Sequence, residues 1–275
     1  MKIQRIRLIY FSATGTTQKV LRCMGETLAQ ELGAAVQEDD FTLPAAREQT
    51  VACMPDELAL VGTPVYAGRV PNVLLPYLKG QLTGSGAPAV PIVLFGNRNY
   101  DDALIELRDL LEAAGFRTVG GAAFVGEHSF SDILAAGRPD AADLKRAEEF
   151  AHALAHKVRT LECVPEQPVP VNGQTPIRPY YTPRDRQGNP VNILKVKPKV
   201  NDRCDACGLC TEVCPMGSID RTDVRKYTGI CIKCGACIKK CPQQARYYDD
   251  AGYLYHQHEL EDQYAGRRAP SKIFL

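Results

Sequence analysis

Nothing in this chain of 275 residues is apolar for long enough to cross a membrane. Its longest near-apolar run, Ala87 to Phe95, falls far short of the roughly 20 residues a membrane helix needs. Charge of either sign is not in excess: the net value is +1 overall, −3 over residues 1–160 and +4 over residues 161–275. That balance excludes a nucleic-acid-binding patch. The basic start Met1-Lys2-Ile3-Gln4-Arg5-Ile6-Arg7 leads through a brief apolar stretch into Ser12-Ala13-Thr14-Gly15 with no small-residue cleavage pattern, which predicts a mature cytoplasmic start. With 45% hydrophobic and 24% charged residues, the composition is that of an ordinary globular protein with room for a large domain and a small one.

Cysteine, by contrast, is abundant, with eleven residues. Eight of them crowd into residues 204–241 at metal-ligand spacing without an export signal, so reduced thiolates are expected rather than disulfides. They form an internal repeat: Cys204-x2-Cys207-x2-Cys210-x3-Cys214-Pro215 recurs as Cys231-x2-Cys234-x2-Cys237-x3-Cys241-Pro242, implying two similar halves packed about an approximate two-fold axis. Zinc knuckles pair two C-x2-C units and do not demand three cysteines at consecutive x2 spacing. Soft thiolates at such spacing wrap one face of an iron–sulfur cube, and in the bacterial C-x2-C-x2-C-x3-C-P pattern the fourth cysteine ligates the other cluster. The expected sets are therefore Cys204, Cys207, Cys210 and Cys241 for one [4Fe–4S] cluster, and Cys231, Cys234, Cys237 and Cys214 for a second. Gly208, Gly235 and Ala236 let backbone N–H groups approach cluster sulfurs. Cys23, Cys53 and Cys163 lie outside the pattern and read as incidental thiols.

Residues 1–162 alternate strand-like runs (Ile6 to Phe11, Leu58 to Val61, Val90 to Phe95, Phe116 to Val125) with amphipathic stretches (Thr17 to Leu32, Val73 to Lys79, Asp101 to Ala114, Pro139 to Thr160). This rhythm predicts a doubly wound α/β domain with a five-stranded parallel sheet and helices on both faces. Residues 163–198 change texture, with eight prolines between Pro165 and Pro198, and read as a linker or strap. Ile177, Tyr180, Tyr181, Val191, Ile193, Leu194 and Val196 favour docking of that strap over a free tether. Residues 199–250 form the small cysteine domain, and 251–275 a polar tail whose docking site the residues do not indicate.

Three loops follow adjacent strands at their carboxyl ends, the edge at which open α/β sheets bind ligands. The first, Ser12-Ala13-Thr14-Gly15-Thr16-Thr17, opens a helix and aims free N–H groups and hydroxyls at a phosphate. It contains no Lys, which excludes a Walker A site, and lacks the G-x-G-x-x-G fingerprint, so a phosphate monoester is the natural guest. The others are Gly62-Thr63-Pro64-Val65-Tyr66-Ala67-Gly68 and Gly96-Asn97-Arg98-Asn99-Tyr100-Asp101. Tyr66 and Tyr100 would serve either as aromatic walls for a flat ring or as core.

On these loops the N-terminal part resembles a flavodoxin binding flavin mononucleotide (FMN), and residues 199–250 resemble a bacterial two-cluster ferredoxin. The order of the two is similar to that of flavodoxin–ferredoxin fusion proteins of anaerobic bacteria and archaea. The resemblance implies phosphate contacts from residues 12–17, ribityl and ring contacts from Thr63 to Gly68, ring-edge contacts from Asn97 to Asp101, and a peptide near Ala67-Gly68 facing flavin N5. Two departures stand out. Free flavodoxins and ferredoxins are acidic, whereas this chain carries +1, and Arg98 replaces acidic character near the expected flavin, where a cation favours the reduced, anionic form.

The expected function is electron transfer between FMN and the two clusters, serving a redox partner protein or a small-molecule donor or acceptor, in a chain for which homodimerisation is open. The alternative is a flavin-dependent reductase of a small organic substrate, fed through the clusters, with Tyr66, Arg98, Tyr100 and His128 lining the pocket. His128, after the fifth strand, reads either as a proton donor or as a structural histidine. His152 and His156, four apart on a helix without acidic or thiol partners, read as solvent-facing.

Overall fold

The computed structural model describes residues 1–185 and 187–275. The N-terminal part builds, in order, β1 (Arg5–Tyr10), α1 (Thr16–Leu32), β2 (Ala35–Asp40), β3 (Glu57–Pro64), α2 (Leu75–Gly80), β4 (Pro88–Phe95), α3 (Ala103–Ala113), β5 (Gly121–Val125) and α4 (Ala141–Thr160). The five strands run parallel in the order β2-β1-β3-β4-β5, the flavodoxin-like doubly wound arrangement whose order reverses between β1 and β3. β3 and β4 are buried along almost their whole length because helices cover both faces, which is why they read as continuous apolar runs. β2, with Gln37, Glu38, Asp39 and Asp40 in six residues, is largely exposed and forms a charged edge that resists further pairing.

Each face has its own core. Val20, Leu21, Met24 and Leu28 of α1 pack with Phe150, Leu154 and Val158 of α4 on one side. Tyr77 and Leu78 of α2 and Leu104, Leu107 and Leu111 of α3 lie on the other. That second core also takes in Cys234 and Ala236, so the cysteine segment is fastened to the sheet domain by apolar packing.

The cysteine segment itself is small: β6 (Lys199–Val200), α5 (Leu209–Glu212), α6 (Ala236–Lys239) and β7 (Arg246–Tyr247), with β6 and β7 antiparallel. Beyond it come α7 (Ala251–Tyr264) and β8 (Lys272–Phe274). The polar tail is thus a helix followed by a strand, and β8 pairs antiparallel with β5 at the open edge of the sheet. The expected five parallel strands therefore carry an added antiparallel edge, in addition to a two-residue parallel strand at Arg117–Thr118.

The strap is held chiefly by polar anchors. Asp102, fully buried, accepts from Arg178 N (2.7 Å), Nε (2.8 Å) and Nη2 (2.5 Å) and from Gln174 N (3.0 Å). Tyr180 donates its hydroxyl to Val70 O and Tyr181 its amide to Ala67 O, both at 2.8 Å. Most of the strap's apolar residues pack only partly, and Leu194 is 78% exposed.

Candidate functional site

The carboxyl ends of β1, β3, β4 and β5 meet at one cleft. Ala13, Thr14, Thr16 and Thr17 form one wall, and Tyr66, Gly96 and His128 belong to the others. Ser12 shapes the loop: its amide donates to Thr42 Oγ1 (2.7 Å) and its Oγ accepts from Gln18 N (3.0 Å). Gly15, at φ 89°, stands at the N-cap of the 17-residue α1 and has no side chain to cap it; in the first turn Ser12 Oγ takes only Gln18 N. The N–H groups of Thr16 and Thr17 and the helix dipole are left for an anion. Thr63, at the end of β3, keeps its hydroxyl buried without a hydrogen-bond partner among the described residues, a donor left for a ligand. These features fit a phosphate ester in the loop with a polar chain running past β3.

The cleft opens into a larger cavity of about 800 Å³, roofed by the strap. Tyr66, Ala67, Gly68, Arg98 and Asn99 line it together with His128. The Arg98 guanidinium lies 4.6 Å from the Tyr181 ring centre and is paired with Asp101, while Tyr181 stacks on His256 at 6.0 Å. His128 Nδ1 accepts from Phe130 N (3.0 Å), so the neutral ring carries its proton on Nε2. Burial, with His256, Lys239 and Arg98 adding, pushes its pKa down to about 3. Burial and Arg98 push His256 down to about 4. Both rings are neutral at neutral pH.

Not every expected contact residue reaches these spaces. Tyr100 is buried, its ring 5.5 Å from Phe95 and its hydroxyl at 3.4 Å from Asn172 Nδ2. Asn97 turns inward: Nδ2 donates to Tyr264 O (2.7 Å) and Arg267 O (2.9 Å), and Oδ1 accepts from Ala269 N (3.0 Å), which pins the C-terminal segment. Asp101 is engaged with Arg98 and with Arg178 at 4.0 Å. His152 lies exposed beside Glu31 at 2.9 Å. Conversely, Tyr181 of the strap and His256 and Leu260 of α7 line the cavity without having been singled out as site residues. The strap's apolar residues were its signal; for α7 it was the buried stripe Tyr253, His256, Leu260 at helical spacing.

The eight cysteines sit on two copies of one backbone, offset by 27 residues. Ala206 and Lys233 share a left-handed conformation (φ 57° and 56°), as do Gly208 and Gly235 (81° and 77°) and Gly217 and Gln244 (57° and 48°). Ser218 N donates to Cys214 Sγ and Ala245 N to Cys241 Sγ, each at 3.4 Å. Cys204, Cys207, Cys210 and Cys241, together with Cys237, line one pocket. Cys214, Cys231 and Cys234 all lie near enough to Cys237 to act on its charge. Burial pushes the Cys234 thiol up to about 12, with Cys231 and Cys214 adding to the rise, and burial likewise raises Cys237. Such thiols ionise only against a bound cation, which coordination supplies. Among the described residues no three His, Cys, Asp or Glu side chains close on a single metal ion. The donor set, all soft thiolates about a wider space, suits iron–sulfur clusters.

Residues 203–246 match the family model of the 4Fe-4S dicluster domain. No curated protein matches the chain. A flavodoxin from the domain Archaea is similar at 13% identity over 57% of this chain and 99% of its own, with a TM-score of 0.38. Two-electron reduced flavodoxin of Megasphaera elsdenii is similar at 17% identity over 55% and 98%, with a TM-score of 0.34. Rubredoxin oxygen:oxidoreductase of the anaerobe Desulfovibrio gigas is similar at 18% identity over 57% of this chain but only 37% of its own, with a TM-score of 0.37. These likenesses are distant, and it is the strand order β2-β1-β3-β4-β5 that carries the fold. The chain thus joins a flavodoxin-like α/β domain to a 4Fe-4S dicluster segment, the arrangement of a flavodoxin–ferredoxin fusion.

Proposed function

We propose that the chain is an electron-transfer iron–sulfur flavoprotein that passes electrons between FMN and two [4Fe–4S] clusters. One observation supports this above the others: Cys234 lines the same cleft as Thr14, Thr16, Tyr66 and His128. The expected flavin site and the expected second cluster share a wall.

In this reading the first-turn amides of α1, with Thr14, Thr16 and Thr17, hold the phosphate, Thr63 meets the ribityl chain, and Tyr66, Ala67, Gly68 and Arg98 border the ring. Cys231, Cys234, Cys237 and Cys214 hold the cluster beside it, and Cys204, Cys207, Cys210 and Cys241 the one beyond. FMN exchanges one or two electrons and each cluster one, so the set links a two-electron partner to a one-electron partner. The protein's own contribution is to fix these groups close together and keep water out. Lys239 of α6 does the first by pairing with Glu127 and donating to Ser131 O (3.0 Å). The strap, tied to Asp102 and Ala67, does the second.

The size of the roofed cavity, about 800 Å³, supports a second reading, a flavin-dependent reductase of a small organic substrate. There His128 would hold a proton on Nε2 toward the bound molecule. Anaerobic purification with iron, sulfide and flavin analysis tests both readings. About eight iron and one FMN per chain are expected. About four iron would sink the two-cluster count, and absence of flavin would sink the flavoprotein. Single-turnover oxidation of the reduced protein by a candidate organic acceptor, but not by a one-electron carrier, would favour the reductase.

A further inference from the structure

The two-fold repeat is broken at one buried position. Arg246 is 4% exposed, and its counterpart 27 residues earlier, Ile219, is also 4% exposed. One half of the repeat therefore buries a guanidinium where the other buries a hydrocarbon. Arg246 Nη2 donates to Cys210 Sγ (3.1 Å) and to Val224 O, and Nη1 donates to Tyr227 Oη (2.8 Å). Among the described residues no carboxylate pairs with it; the groups that bear on its charge are Tyr227, Cys237 and Cys210. A buried cation without a counter-charge is costly. The cost falls if the counter-charge is the thiolate-bound cluster itself, as in the reading above, on which this inference rests.

One-electron reduction of a cluster adds one negative charge to its sulfurs, with the electron supplied by the reductant and no proton taken up. A guanidinium hydrogen-bonded to a ligand sulfur in a low-dielectric interior favours the more negative state. Arg246 makes that bond to Cys210, a ligand of the first set, and makes none to Cys237. We propose that Arg246 is a fixed charge that raises the reduction potential of the cluster held by Cys204, Cys207, Cys210 and Cys241 above that of its twin. Electrons entering at the cleft then come to rest at the end of the segment where Cys207 is exposed.

The test is a potentiometric titration of the anaerobically purified full chain, with dithionite as reductant and the reduced clusters followed by electron paramagnetic resonance. Wild-type protein should show two steps whose reduction equilibria differ at least tenfold, about 59 mV for a one-electron couple. In Arg246→Met the higher step should fall by at least tenfold and the lower should move less, whereas Arg246→Lys should keep most of the separation. Should Arg246→Met fail to retain its iron, Arg246→Gln, which keeps donors without charge, replaces it. A single wild-type step at one potential overturns the proposal, and so do unmoved potentials in a fully loaded neutral variant. Iron, sulfide and flavin counts on the same wild-type sample report separately on the two-cluster reading, so failure of that reading is not mistaken for failure of this one.

Discussion

The two halves of the cysteine repeat share a backbone and differ in almost everything around it. In the first half Cys207 is exposed, the neighbouring Asp205 accepts from its amide, and Glu212 points to solvent. In the second half the equivalents are the buried Cys234, the half-buried Ile232 and Lys239, which is locked to Glu127 of the sheet domain. A duplicated motif supplies equivalent ligand geometry, and the substitutions between copies decide which copy docks and which faces outward. The lesson is that spacing specifies the ligands while the residues between them specify the direction.

The sharpest way to break this comparison is to remove the crossing ligands one at a time. Cys214→Ala should cost the buried cluster and Cys241→Ala the exposed one, each removing about four of eight iron. The surviving cluster tells them apart: an iron chelator should strip it quickly from Cys214→Ala and slowly from Cys241→Ala. The reverse order of stripping rates would mean that the fourth ligand does not cross.

A smaller effect separates the two glycines that start α5 and α6. A methyl group on Gly208 meets nothing within 4 Å, whereas one on Gly235 would lie 2.8 Å from Ser129 O. Both residues have positive φ, so Gly208→Ala should cost only the left-handed strain, about 1–2 kcal/mol. Gly235→Ala should cost about 1–3 kcal/mol more, because backbone must move. Thermal unfolding of the anaerobic protein should rank wild type above Gly208→Ala above Gly235→Ala; the reverse order would place the docked face elsewhere.

The pair Lys239 and Glu212, equivalent in the repeat, sharpens the same contrast at lower cost. Lys239→Ala leaves Glu127 part-buried and unpaired, which should cost about 2 kcal/mol, discounted for its residual exposure. Glu212→Ala, on the outer copy, should stay within about 0.5 kcal/mol of wild type. Urea unfolding of the two variants gives the comparison directly.

Much of this was legible in the residues, for reasons of range. Within each half of the repeat the cysteines lie three or four positions apart, and the loop Ser12–Thr17 follows its strand directly, so both are local patterns. The placement of Tyr100, Asn97 and Arg246 depends on distant chain. Tyr100 is indistinguishable from a ring wall until α3 and the strap close over it, and Asn97 reads as a loop residue until residues 264–269 arrive to occupy its amide. Arg246, in an ordinary polar stretch, becomes a buried cation only when Val224 and Tyr227 fold back on it. The strand Lys272–Phe274 is too short to show period-two alternation, and its partner β5 lies some 150 residues away.

Acidification gives the smallest effect and tests the docked face alone. His128 sits where the buried copy meets the sheet domain: its ring abuts Gly96, and Gly235 approaches the backbone of the next residue, Ser129. Burial first, then His256, Lys239 and Arg98, holds its pKa at about 3 against an ordinary 6.5. Between those values the unfolded chain binds more protons than the folded one, so stability is full above about pH 6.5 and declines as pH falls toward about 3. For His128 the loss at pH 5 is of order 1–2 kcal/mol. His128→Gln, which cannot titrate, should flatten that part of the stability profile. A profile unaltered by His128→Gln would mean that water reaches the ring, and with it the seam between the flavodoxin-like domain and the buried cysteine copy.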